Sequence, residues 1–369
     1  NQKQELRFNT FTHSIEMDGK VIRNIELFYL TLAELGYKVT KEMAIDCLLK
    51  VAHENEYDPV RLYLEHVSSI EPTYIDQLAT TYLRPKDAAI GKPTIYDAML
   101  KATLIAAVRR VFEPGSKHDS ACVLQGPQGA RKSSFWAALG GPFFSDSLGD
   151  IAEKDSVLQL SRSWICEMAE LDHLTSRKHA GQIKSFLSRS TDLMRVPYGR
   201  SVEEWPRRGI IVGSTNKSDG FLVDETGNRR FHVIPVQKDM EKPIDLDSLQ
   251  LERDAIWSAA VHAYRNGESS FLTTEQENQI ANENMSYLVD SPWQPVIAQW
   301  LNNPSNKMKD ITIELLLTEA IEKSTERQTR SDVMAVSNIL KSLNYERKKK
   351  RVNGTPRWVW FPPCSLPVP

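Results

Sequence analysis

A strand, a glycine-bearing turn and then lysine and serine at the start of a helix are the residue types that hold phosphate. The run Val123-Leu124-Gln125-Gly126-Pro127-Gln128-Gly129-Ala130-Arg131-Lys132-Ser133-Ser134 has that order. Backbone N–H groups at a helix start can meet phosphate oxygens, and glycine lets the chain approach without a side chain in the way. Gly126, Gly129, Lys132, Ser133 and Ser134 are therefore the candidate nucleotide-binding residues. Lys132 is expected to stand exposed and meet the β/γ-phosphates, and Ser133 to offer its hydroxyl to Mg²⁺. The usual pattern has glycine immediately before the lysine, and Arg131 takes that place here.

Metal–nucleotide chemistry also needs an acid at a second strand end. Ser163-Trp164-Ile165-Cys166-Glu167-Met168-Ala169-Glu170 supplies two, the first lying 35 positions after Lys132. Glu167 could hold Mg²⁺ through its water shell while Glu170 orients an attacking water, or the roles could be exchanged. The plainer alternative for each is a solvated strand-end residue. A third strand, Ile210 to Thr215, ends at Asn216, an amide suited to sensing a γ-phosphate or simply to making a turn. Arg229 and Arg230 precede a fourth strand; a guanidinium there could stabilise charge on a transferred phosphoryl group, or form a strand-edge ion pair.

Two basic regions could meet nucleic acid. Arg195, Tyr198 and Arg200, followed by Trp205-Pro206-Arg207-Arg208, place cations beside aromatic rings on an expected hairpin, although Glu203 and Glu204 nearly cancel the local charge. Near the C-terminus, Arg347-Lys348-Lys349-Lys350-Arg351 is the densest positive charge in the chain. Lys348, Lys349, Lys350 and Arg351 are the candidates there, with a solvated charged turn as the alternative.

Elements must carry these residues to one place. Strands are expected at Ala121–Gln125, Ser163–Met168, Gly209–Ser214 and Arg230–Val236, with helices at Lys132–Leu139 and Arg177–Arg189 between them. That alternation predicts a largely parallel sheet with crossovers. Residues 1–90 read as a helical N-terminal domain, 91–240 as the α/β core, 241–290 as a helical connection and 291–369 as a winged helix. The last assignment rests on three helices followed by a hairpin at Asn353-Gly354, with Arg330–Leu343 as recognition helix.

The 369 residues, 41% hydrophobic and 25% charged, describe an ordinary folded protein of two or three domains. With 46 basic and 48 acidic residues the net charge is -2, so any nucleic-acid site must be a local patch. Four scattered cysteines without a CxxC pair exclude a zinc-ribbon pattern and point to a reducing compartment. No run approaches 18 apolar residues, and the polar first twenty residues lack a signal-peptide core, so neither export nor a membrane span is expected.

Taken together, these blocks resemble the virulence-associated E family, whose ATPase module is similar to superfamily 3 helicases of phages and mobile elements. The resemblance rests on Arg109 to Asp119, the phosphate loop, Trp164 to Leu171, Phe186 to Arg189, Pro197 to Arg200, Gly213 to Asn216, Gly227 to Phe231 and Glu252 to Trp257, in family order. It covers about Asp58 to Ala263 and implies an AAA+-like P-loop core, ATP and Mg²⁺ as cofactors, and a homo-oligomeric, hexameric ring. It further implies work on DNA in the cytoplasm of a bacterial host during replication of a phage or mobile element. Single-stranded DNA would pass the pore at Arg195, Tyr198 and Arg200, and duplex would meet the winged helix. The family often adds a primase or primase-polymerase domain, expected upstream or in trans. An alternative from another class is a nucleotide-dependent DNA-binding initiator or assembly module with little hydrolysis. A nucleotide kinase fits less well, since no second phosphate-binding lid is apparent.

Overall fold

The computed structural model describes residues 5–85, 88–146, 148, 154–168, 177–195, 202–218, 222, 228–236, 243–287, 293–343, 345–352 and 355–362. Two compact units divide the chain, Asn1–Tyr287 and Leu288–Pro369.

The first ninety residues hold a sheet as well as helices, which corrects the expectation of a helical domain. Strands β1 (Leu6–Asn9), β2 (Ser14–Met17), β3 (Lys20–Val21) and β4 (Glu56–Tyr57) form a four-stranded sheet in the order β3-β2-β1-β4. These strands are two to four residues long, too short for a period to show. Helices α1 (Phe28–Glu34), α2 (Lys41–Glu54) and α3 (Pro59–Val67) accompany them. Asp58 caps α3, accepting from the amides of Val60 and Arg61, and Pro59 follows at the first helical turn, where a missing N–H costs nothing.

Helix α4 (Ile95–Phe112) opens with a capping box between Thr94 and Asp97 and is buried along most of its length. It packs against a five-stranded, wholly parallel sheet of β5 (Ala121–Gln125), β6 (Phe144–Ser145), β7 (Ile165–Met168), β10 (Ile210–Thr215) and β11 (Phe231–Pro235). The order β11-β5-β10-β7-β6 places β10 between the phosphate-loop strand and the acid-bearing strand. Helices α5 (Lys132–Gly140), α6 (Lys154–Ser161), α7 (Arg177–Ser188), α8 (Leu246–Arg265) and α9 (Thr274–Glu283) belong to the same unit. Trp164 and Trp257 are fully buried 4.2 Å apart, their indole N–H groups donating to the carbonyls of Ala107 and Leu139. One apolar cluster runs from Phe11 and Val60 through α4 and the sheet to Ile280, so the flanking segments and the sheet share a core.

A hairpin of β8 (Thr191–Arg195) and β9 (Val202–Pro206) enters β10 through Arg207, Arg208 and Gly209. Its root is tied tightly. Arg207 forms a buried bidentate pair with Asp192, and Arg110 donates to the Gly209 carbonyl at 2.8 Å. Residue 209 must be glycine on steric grounds, because a Cβ there would fall 2.1 Å from the Ser163 carbonyl oxygen.

In the second unit, α10 (Trp293–Asn302), the short α11 (Ile313–Leu315) with its continuation to Ala320, and α12 (Arg330–Ser342) precede a hairpin of β12 (Glu346–Val352) and β13 (Thr355–Phe361). Ile297, Leu316, Val336, Leu340 and Trp360 form its core.

Candidate nucleotide site

At the C-terminal end of β5 the chain turns through residues 126–131 into α5. Gly126 is packed against the end of β11: a Cβ would lie 3.2 Å from Val236, whose amide donates to the Gln125 carbonyl at 2.7 Å. Gly129 has φ 84°, the left-handed region that glycine enters at little cost. Arg131 is left-handed as well, with φ 63° and ψ 32°, so it takes the backbone shape that a glycine would supply. Its guanidinium donates to the Ile244 carbonyl at 3.3 Å. Arg131→Gly should therefore leave folding stability within about 1 kcal/mol, relief of left-handed strain offsetting the greater freedom of the unfolded chain. Arg131→Val should be less stable than Arg131→Gly, because a β-branched residue fits the left-handed region worst, read by urea denaturation.

Lys132 is buried rather than exposed, at 7% accessibility. Its ammonium donates to the carbonyls of Gly126 at 2.8 Å and Pro127 at 2.9 Å, and to Asn216 Oδ1 at 2.8 Å. The loop thus folds over its own lysine. Burial lowers the lysine's pKa, opposed by the nearby Glu167 charge.

The next residue completes a second contact. Ser133 Oγ donates to Glu167 Oε1 at 3.0 Å. Glu167 is fully buried, and its other oxygen, Oε2, has no hydrogen-bond partner. Burial pushes its pKa up, while Ser214, Ser133 and Lys132 favour the ionised form. An orphaned carboxylate oxygen beside a hydroxyl is a hard-oxygen donor pair, which fits Mg²⁺ bound also by waters and substrate phosphates. No group of three or more His, Cys, Asp or Glu able to hold a metal alone occurs among the described residues.

The sheet order explains these contacts. Because β10 lies between β5 and β7, Asn216 emerges between the phosphate loop and Glu167, and Lys132, Ser133, Glu167 and Asn216 gather at the C-terminal end of the three inner strands. Ser134 is exposed in the first turn of α5. Asp146, just after β6, also acts electrostatically on Glu167 and raises its pKa. Sequence reading passes over Asp146 because its position depends on the pairing of β6 with β7, which only two residues make.

Arg229 and Arg230 stand elsewhere. They precede β11, whose Phe231 lies beside Ala121 at the start of β5, so they occupy the sheet end opposite the phosphate loop. Five residues at about 3.3 Å each separate the two ends. The arginines line a cavity of about 150 Å³ with Lys117, Asp119, His232 and Glu277. Arg230 faces Asp119 at 3.7 Å and Arg229 faces Glu277 at 3.8 Å, both loose pairs. Burial lowers the His232 pKa to about 4, so the imidazole is neutral at pH 7.

Glu170, Tyr198 and Arg200 lie outside the described residues, as does the side chain of Arg195 at the end of β8. Trp205 of β9 stacks on His13 with ring centroids 3.6 Å apart, and Arg208 reaches Asp58 and Thr10. In the second unit, Lys348, Lys349, Lys350 and Arg351 all lie exposed on β12. No helix among the described residues is long and apolar enough to cross a membrane.

Two apo structures of the NrS-1 C-terminal region share the fold, with TM-scores of 0.51 and 0.50 at 12% and 11% identity. Each alignment covers 98% of this chain and 97% of the other. No curated protein matches the sequence. A family sequence profile, that of the virulence-associated protein E-like domain, matches residues 64–289, which contain the phosphate loop, the acid strand, Asn216 and both arginines. With more than half of its length in that match, the chain belongs to the virulence-associated protein E-like domain family.

Proposed function

We propose that this protein is an ATP-driven DNA motor of superfamily 3 helicase type, working as a hexameric ring in the replication of a phage or mobile element. The observation that carries this reading is the meeting of Lys132, Ser133, Glu167 and Asn216 at the C-terminal end of the inner strands. A lysine at a helix start, a hydroxyl, a buried carboxylate and an amide form a set suited to positioning a nucleotide triphosphate. Bound Mg²⁺ would neutralise charge on the β- and γ-phosphates.

The chain's own residues supply the rest. Lys132 exchanges the carbonyls of Gly126 and Pro127 for phosphate oxygens. Ser133 and Glu167 would hold the Mg²⁺ through the hydroxyl and the unpaired carboxylate oxygen. Asn216 then holds the γ-phosphate or the water beside it, and Glu170 is the base that orients that water. With Arg229 and Arg230 at the far end of the sheet, their action is assigned to the nucleotide of a neighbouring subunit.

That assignment has a direct test. Arg230→Ala and Lys132→Ala proteins should each be nearly inactive, yet a mixture should recover ATPase activity above either alone, because some interfaces pair an intact loop with an intact arginine. If subunits exchange and no mixture recovers, Arg230 does not act in trans, and Arg229 goes through the same experiment. An ATPase assay with and without single-stranded DNA tests the motor itself. Turnover that DNA stimulates supports it, whereas nucleotide binding without turnover points to an assembly module.

A further inference from the structure

Arg347 to Arg351 lie on a β-strand, and a strand shares its side chains between two faces. In the register of the hairpin, Lys349 is opposite Trp358 and Arg351 opposite Pro356, while Lys348 is opposite Val359 and Lys350 opposite Arg357. The two faces differ in chemistry. Lys348 pairs with Glu346 at 2.7 Å, Lys350 with Asp310 at 2.6 Å, and Arg357 approaches Glu314 at 3.9 Å. A phosphate arriving there meets three carboxylates as well as three cations.

The face of Trp358 is different. The indole is 47% exposed, with Arg347 Cζ 4.4 Å and Lys349 Nζ 5.2 Å from its ring centroid. Among the described residues no carboxylate pairs with Arg347, Lys349 or Arg351. The hairpin that presents this face is anchored: Val359 and Trp360 are buried, and the Trp360 amide donates to the Ile311 carbonyl at 2.8 Å. Strand β13 is therefore the inner strand and β12 the outer one. Charge on an outer strand discourages edge-to-edge pairing, which accounts for lysines in β12 but not for an exposed indole beside two cations.

We propose that Arg347, Lys349, Arg351 and Trp358 form a binding face for single-stranded nucleic acid, with an unpaired base stacked on Trp358 and the cations on the flanking phosphates. Duplex hides its base faces within the stack, so an indole platform selects strands whose bases are free. An acidic protein segment would use the cations and leave the indole idle. The assignment rests on the DNA-motor reading above and narrows it, moving the contact from duplex to unpaired strand and from the whole basic run to one face.

The test uses the full chain without nucleotide, a fluorescein-labelled oligothymidine and a duplex of equal length, with anisotropy read over a salt series. Trp358→Ala should weaken single-strand binding about tenfold or more, Trp358→Phe should keep most of it, and duplex binding should change less. Arg347→Gln with Lys349→Gln should lower the single-strand salt slope by about 1.4, or 0.7 for each lost contact. Lys348→Gln with Lys350→Gln should alter affinity less than twofold. A photocrosslink from a 5-iodouracil oligonucleotide should fall on the peptide holding Trp358.

Unchanged affinity in Trp358→Ala, equal losses from the two double variants, a crosslink confined to other peptides, or no binding by the wild type would each overturn the assignment. A loss from the Arg347 and Lys349 changes with none from Trp358→Ala would reduce the face to a charge-only phosphate contact without stacking, and overturn the assignment. Nucleotide turnover is measured separately without DNA, so failure of this face and failure of the ATPase reading are distinguished.

Discussion

Lys132→Ala is expected to reduce ATP turnover by roughly 10²–10³-fold or more, the scale seen when one preorganised charge-stabilising donor is removed. The fold should persist. Although Lys132 is buried, its three acceptors are two loop carbonyls and the amide oxygen of Asn216, which is itself exposed. Water can replace the ammonium there, so the stability change should stay within about 1 kcal/mol. Turnover is followed by phosphate release and folding by thermal melting. Wild-type turnover in the variant would remove the phosphate loop from the mechanism.

Glu167→Gln should move activity and stability in opposite directions. Turnover should fall by about 10²-fold or more and lose its normal Mg²⁺ dependence, because the amide keeps the shape while discarding the charge. The ligand-free protein should become more stable at neutral pH. Burial raises the Glu167 pKa in the folded state, so the native protein holds this proton more tightly than the unfolded chain does. Below the unfolded pKa both states are protonated and the carboxyl imposes no penalty. As pH rises through the folded pKa the penalty develops fully, and stability is lost. The melting-temperature advantage of Glu167→Gln should therefore be small near pH 4 and grow toward pH 8. An advantage that shrinks as pH rises would contradict this account of the buried carboxylate.

The core is legible in sequence because a parallel sheet buried on both faces makes each strand a continuous apolar run. The expected strands at Ala121–Gln125, Ser163–Met168, Gly209–Ser214 and Arg230–Val236 agree with the observed ones to within two residues. Sheet order is another matter. Nothing in an apolar run states its neighbour, so the insertion of β10 between β5 and β7, which brings Asn216 to Lys132, emerges only in three dimensions. The N-terminal sheet escapes a periodicity search through the shortness of its strands. One local signal does exist: Asp18 and Gly19, at φ 52° and 75°, make the Asp-Gly turn between β2 and β3. At the C-terminus the sequence shows a block of positive charge, and only the strand register divides it into an acid-paired face and an indole face.

Among the described residues, the root of the β8–β9 hairpin has no free joint. One leg is riveted to the other by Asp192 and Arg207, Arg207 exchanges backbone bonds with Ser190 and Gly115, and Gly209 is wedged against the carbonyls of Ser163 and Trp164. The next residue is already β10. A force on β8 or β9 is therefore a torque on the central strand of the sheet, and this root moves only as far as the whole body tilts. In the ring proposed above, the roots of these hairpins would behave as fixed cogs, and their step would be set by how far one subunit rocks against the next.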